Sequence, residues 1–229
     1  MRYPNITKAI FLSRENRFVA TVSLEGREEK VHVKNTGRCR ELLVPGTSVY
    51  LVHSDAKTRK YAYDLVAVEK GSLLVNMDSQ APNHEFGRWL KEGGLTDGIT
   101  YVKPEYQYGK SRIDFYFERG TEQHLVEVKG VTLENHGLCR FPDAPTERGV
   151  KHLEELMHAV EEGYHAWICF VVQMEGMTLF QPNQATDPAF ANALKAASEA
   201  GVQIKALGCH VTPDTMNITY EIQVDLNIG

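Results

Sequence analysis

No stretch of the 229 residues is apolar for long enough to cross a bilayer, and Met1-Arg-Tyr-Pro-Asn-Ile-Thr-Lys8 lacks the apolar core of a secretory leader. Cysteine is scarce. Cys39, Cys139, Cys169 and Cys209 lie far apart with no C-x-x-C pair, which argues against a disulfide framework or a zinc site and for reduced thiols in a cytoplasmic protein. A phosphate-binding glycine loop, a helix-turn-helix, a nucleophile elbow, internal repeats and low-complexity tracts are also missing. What remains is a chain of ordinary composition, long enough to bury one large core or two smaller ones.

Charge is unevenly spread. The formal net charge is −5, too acidic for a simple nucleic-acid-coating protein. Yet residues 1–80 carry 13 Lys+Arg against 9 Asp+Glu, whereas residues 81–229 carry 12 against 21. A basic first third joined to an acidic remainder suits an anionic partner docking on the N-terminal part; an imbalance between two solvated surfaces fits equally well.

The first eighty residues read as short strands separated by turns. Residues 8–24 form two strands around a turn at Ser13–Arg17, and Lys30–Lys34, Thr47–Val52, Tyr61–Val68 and Ser72–Asn76 add four more. Gly37, in the loop Asn35-Thr-Gly-Arg38, is free to take a positive φ. This density of strands predicts a small β-barrel, with the OB type as one candidate. Its basic residues fall into two groups, Arg38 with Arg40 and Lys57-Thr-Arg59-Lys60, both suited to gripping phosphate. Tyr61 and Tyr63 beside the second group either stack on bases or pack against the barrel.

Ala81-Pro-Asn83 marks a boundary, giving domains over 1–82 and 83–229. Asn83 is expected to cap a helix over His84–Lys91. Ile99–Tyr108 reads as a strand, residues 132–145 as irregular, and Thr146 as the cap of a helix running to about Glu162. Tyr164–Gln173 is apolar throughout and reads as a central, fully buried strand. Asp187-Pro188 opens another helix that Gly201 closes, and Val202–Leu207 and Ile218–Val224 read as the last strands. Strands alternating with helices predict a mixed α/β sheet flanked by helices.

Chemistry concentrates in Ser111-Arg-Ile-Asp114-Phe115 and, thirteen residues after the aspartate, Glu127-Val-Lys129. Both read as strand. Ile113, Phe115 and Phe117 alternate with polar neighbours, and Glu127 and Lys129 share the face that Val126 and Val128 avoid. If the two strands pair, Asp114 and Glu127 meet at one edge with an ammonium beside them. That is the minimum equipment for a divalent cation and a water next to a phosphodiester. The same spacing also fits a solvated strand face; the apolar opposite face and the turn that follows favour a site.

These segments, together with Phe141-Pro-Asp-Ala-Pro-Thr-Glu-Arg-Gly149 and Lys151-His-Leu-Glu-Glu-Leu156, resemble the sugar fermentation stimulation protein A family of bacteria and archaea over nearly the whole chain. The resemblance implies an OB-like N-terminal barrel followed by a domain similar to the PD-(D/E)xK restriction endonucleases. It implies DNA binding with little sequence specificity and a link to sugar (maltose) use. It assigns Asp114 and Glu127 as ligands of Mg²⁺ or Mn²⁺, the Val128 carbonyl as a further ligand, and Lys129 as the catalytic lysine. The family tends to carry a helix acid near Gly87-Arg88; this chain has none there, Glu85 and Glu92 are out of register, and Glu105 is the substitute acid. Arg112, Arg148 and Lys151 join the candidate phosphate contacts, while His152 reads as a helix-surface histidine. A metal-dependent nuclease is the expected function; a non-catalytic DNA-binding regulator on the same scaffold is the alternative. An effector pocket for a sugar has no support in any residue.

Overall fold

β-branched and aromatic residues at every second position set the N-terminal strands, and a computed structural model describing residues 1–35, 37–54 and 58–227 shows how they close. β1 (Ile6–Asn16), β2 (Val19–Leu24), β3 (Arg27–Val33), β4 (Ser48–His53) and β5 (Tyr63–Lys70) pair in the order β3-β2-β1-β4-β5. A parallel pairing of β3 with β5, His32 to Asp64 and Val33 to Leu65, closes the barrel, and β6 (Leu73–Asn76) adds to β5. Ala9, Phe11, Ala20, Val22, Val31, Val49 and Leu51 fill its interior. β1 runs on through Asn16, so the turn expected at Ser13–Arg17 is confined to Arg17-Phe18; Arg14 makes the extension stable by donating to the carbonyls of Asn16, Arg17, Asn35, Gly37 and Arg38.

The second sheet has nine strands. β7 (Ile99–Tyr108), β8 (Ser111–Arg119), β9 (Glu122–Val131), β10 (Leu133–Asn135), β11 (Leu138–Phe141), β12 (His165–Val172), β13 (Leu179–Pro182), β14 (Gln203–Val211) and β15 (Met216–Val224) lie in the order β10-β11-β13-β15-β14-β12-β9-β8-β7. β12 is central and parallel to both neighbours, as its unbroken apolar run requires. The span 132–145, expected to be irregular, instead contains β10 and β11, and β13 was not foreseen. Strands of three or four residues are too short to display a period, and their pairing comes from the sheet.

α1 (Ala81–Lys91) covers one face; α2 (Glu147–Glu161) and α3 (Pro188–Glu199) pack together on the other. The Thr146 hydroxyl accepts from the Gly149 amide and the Asp187 carboxylate from the Phe190 amide, so both expected caps are present. α1 begins three residues earlier than expected. Pro82 occupies its first turn and Asn83 lies inside it, so Asn83 is not a cap. α1 rides close to the sheet at Gly87, where a Cβ would meet the Phe115 ring at 2.9 Å.

The strand alternation expected in β8 slips by one across Asp114. Ile113 and Tyr116 pack in the core under α2, whereas Phe115 and Phe117 pack in the core under α1. Beyond Phe115↔Val126 the regular β8–β9 pairing ends. This is the place where the carboxylates gather.

Candidate metal centre

Asp114 sits where the ladder stops, and its side chain takes over the missing hydrogen bond: Oδ2 accepts from the Val128 amide at 2.8 Å. Oδ1 accepts from Asn83 Nδ2 on α1 at 2.6 Å. Glu127, opposite on β9, is 2% exposed. Its Oε1 accepts from Lys129 Nζ at 2.6 Å and from His152 Nδ1 on α2. Its Oε2 is buried without a hydrogen-bond partner. Lys129 Nζ lies 3.2 Å from His152 Nδ1, and Arg148 Nε donates to His152 Nε2 at 3.2 Å. The Arg148 bond leaves Nε2 as the acceptor and places the ring proton on Nδ1, toward Glu127. Asp114, Glu127 and Lys129, read from spacing alone, are therefore assembled in space.

The two carboxyls are pushed in opposite directions. Burial, and then the charge of Glu127, raise Asp114 from its ordinary range to about 6. Burial also works against ionised Glu127, but the His152 hydrogen bond and the Lys129 ammonium outweigh it and hold that carboxyl below its usual value. One acid is thus locked as an anion and the other is destabilised beside it, a pairing that a cation would relieve. An orphaned buried oxygen on the first and free lone-pair directions on the second are donors of the hard type that Mg²⁺, Mn²⁺ or Ca²⁺ prefer. Among the described residues, no three His, Cys, Asp or Glu side chains converge as a ready metal cluster, so protein carboxylates would supply part of a shell only.

His152 and Asn83 were not expected in this place. His152 is 5% exposed, not on the helix surface, because it shares the inward stripe with Gly149, Leu153 and Leu156. A histidine at such a stripe position was the available signal. Asn83 carried none, since its role depends on where α1 docks. Glu105 lies on β7 at the level of Asp114 but is exposed, with φ +53° and an ion pair to Arg112 at 3.2 Å. Glu85, the neighbouring acid considered on α1, is fully buried and committed to Arg88, the amino group of Met1 and the Ile218 amide.

The basic residues divide in the same way. Arg38 and Arg40 are exposed along a cleft of about 550 Å³. Arg59 is bidentate on Asp64, which also takes His32 Nδ1 at 2.8 Å. Lys60 is exposed over the Tyr61 ring, Lys151 faces solvent with Glu155 at 3.6 Å, and Lys57 lies outside the described residues. Tyr63 packs against the barrel core and edge-on to His53. Gly37 does not take the positive φ expected of it; it sits close to two side-chain ends, a Cβ there standing 2.9 Å from both Asn35 Oδ1 and Asp143 Oδ2. All four cysteines are free and buried, and no helix among the described residues is long and apolar enough to cross a membrane.

The chain matches two family models, the SfsA N-terminal OB domain over residues 12–77 and the sugar fermentation stimulation protein RE domain over residues 80–215. A sugar fermentation stimulation protein homolog of Desulfitobacterium hafniense (strain Y51) is 52% identical over 229 residues, covering 100% of both chains. One from Ruminiclostridium cellulolyticum is 49% identical over 226 residues, covering 99% of this chain and 100% of the relative. The solved structure of Pyrococcus furiosus SfsA in complex with Ca²⁺ superposes with a TM-score of 0.89 at 30% identity over 98% of each chain. With a closed barrel, a helix-flanked mixed sheet and relatives that match from end to end, the chain belongs to the sugar fermentation stimulation protein family, an OB barrel joined to a restriction-endonuclease-like domain.

Proposed function

We propose that the protein is a metal-dependent phosphodiesterase acting on nucleic acid in the cytoplasm. The observation that carries the reading is Glu127: a buried carboxylate with one oxygen saturated by Lys129 and His152, the other without a hydrogen-bond partner, and Asp114 across from it. Asp114, Glu127 and the Val128 carbonyl would hold Mg²⁺ or Mn²⁺, with water and phosphate oxygens completing the shell. The Ca²⁺ in the complex of the archaeal relative supports a hard divalent ion. Such an ion supplies Lewis acidity and a water of lowered pKa.

The chain's own residues supply position. Asn83 and the Val128 amide fix the Asp114 carboxylate, and Lys129 and His152 fix Glu127. The Lys129 ammonium orients the attacking water and offsets charge developing on the phosphate. Arg148, held against His152 near the start of α2, places positive charge beside the same point. Glu105 adds a third acid if it leaves Arg112, because its strand position is already level with Asp114. Arg38 and Arg40 bring the phosphate backbone, so DNA binding is salt-dependent and nearly indifferent to sequence.

The test is cleavage of single- and double-stranded DNA and RNA by purified protein with Mn²⁺ or Mg²⁺, wild type against Asp114→Asn. Cleavage by the wild type alone supports the reading. The second reading, a DNA-binding regulator without catalysis, draws on the exposed, paired state of Glu105 and the absence of a three-acid cluster among the described residues. It takes over if DNA binds and no form is cut with either ion.

A further inference from the structure

A slot of about 280 Å³ begins at Gly130, three residues along β9 from Glu127 and next to Lys129 in the chain. One wall is the barrel loop at Asn35, Gly37 and Ser79; the other is the sheet from Gly130 to Leu133 with Arg140. Packing is tight at its Gly130 end. A Cβ on Gly130 would meet Gln173 Oε1 at 2.6 Å and Pro82 Cγ at 2.8 Å. The walls are also tied together. Gln173 Nε2 donates to Asn76 Oδ1 at 3.1 Å and to the Asp78 carbonyl at 3.0 Å, both buried, and Lys70 Nζ donates to the Glu134 carbonyl at 3.1 Å. At about 280 Å³, with its walls tied together, the slot has room for a single strand and none for the far bulkier paired strands of a duplex.

Two side chains along the path suit a single strand. Arg140, half-buried in the slot, has no hydrogen-bond or ion-pair partner among the described residues; Asp143, at the same slot, forms no ion pair with it. A second hollow of about 410 Å³ shares Asn35 and Ser79 with the slot, and Phe18 lines it, 49% exposed with the Arg17 guanidinium 5.8 Å from the ring centre. An exposed aromatic beside arginine is a platform for an unpaired base, which a duplex does not offer. Lys34 and Arg59 in that hollow are neutralised by Asp78 and Asp64, so stacking rather than charge is what Phe18 contributes.

Resting on the phosphodiesterase reading, we propose that the substrate is single-stranded nucleic acid or an unpaired end, threaded between barrel and sheet with a phosphate on Arg140 and a base on Phe18. Fluorescence anisotropy in Ca²⁺ buffer tests this with a labelled single strand, the blunt duplex of the same sequence and that duplex with an unpaired tail. The single strand is expected to bind about tenfold tighter than the blunt duplex or better, with the tailed duplex close to the single strand. Arg140→Gln weakens single-strand binding about tenfold and lowers the salt slope by about 0.7. Phe18→Ala weakens it about five- to a hundredfold, and Phe18→Trp restores it. Equal affinity for blunt duplex and single strand, or single-strand binding unmoved by both Arg140→Gln and Phe18→Ala, overturns the proposal while leaving a duplex nuclease standing. Failure to bind any form overturns both readings.

Discussion

The barrel and the carboxylate site handle charge in opposite ways. In the barrel several ions have found partners at home: Arg14 in five carbonyls, Arg59 and His32 on Asp64, Lys34 on Asp78, and Lys8 on Glu69. Where β8 parts from β9, two acids face each other, one of them with an oxygen left without a hydrogen-bond partner. A basic excess counted over a region therefore does not say which cations are available. Unpaired cations are what a phosphate can use, and among the described residues these include Arg38, Arg40 and Arg140, while Arg59 is paired.

That contrast can be broken at its strongest point first. Glu127→Gln and Asp114→Asn should each lower metal-dependent cleavage by about 10³-fold or more in steady-state assays, with DNA affinity for Asp114→Asn unchanged or raised, since one charge near the phosphates is gone. His152→Ala should cost about 10- to 100-fold in Mn²⁺ affinity by titration, because it removes a group that aims Glu127 without touching the ion. In the barrel, Asp64→Ala should lose about 1 kcal/mol in urea unfolding, since Arg59 and His32 lose a shared partner but stay within reach of water. Arg59→Ala should likewise act on stability and leave nucleic-acid affinity near wild type. If it weakens binding as much as Arg38→Ala, the distinction between paired and available cations is wrong.

The smallest effects lie in the pH dependence of stability, where two groups oppose each other. Asp114 is raised from 3.8 to about 6, so between these values the folded chain keeps a proton that the unfolded chain releases, and stability rises as pH falls from about 6 to about 4, by up to about 3 kcal/mol. His124 is lowered from 6.5 to about 4 by burial and then by the charge of His165, so acid does the reverse: stability falls as pH drops from about 6.5 to about 4, by up to about 3 kcal/mol. Thermal melts across this range should look shallow in the wild type. Asp114→Asn should steepen the acid loss, and His124→Gln should expose a gain on acidification.

Features fixed by a local pattern were legible in the sequence. The caps Thr146 and Asp187, the buried run of β12 and the trio Asp114, Glu127 and Lys129 each follow from a spacing or a single residue type. Features fixed by docking were not. β10, β11 and β13 are strands because the sheet has room for them, Asn83 meets Asp114 because of the angle of α1, and Arg59 is ion-paired because the fold brings Asp64 of β5 within its reach. The slip of alternation at Asp114 belongs with these: Ile113 and Phe115 read as one face, and only three-dimensional packing separates them.

The apolar cluster that fills the barrel continues without a seam into the layer beneath α2, joining Val75 and Met77 to Val131 and Phe170. The boundary near Ala81 is thus a change of architecture and not a cleavage plane. Either half expressed by itself would present that shared apolar surface to water and should precipitate.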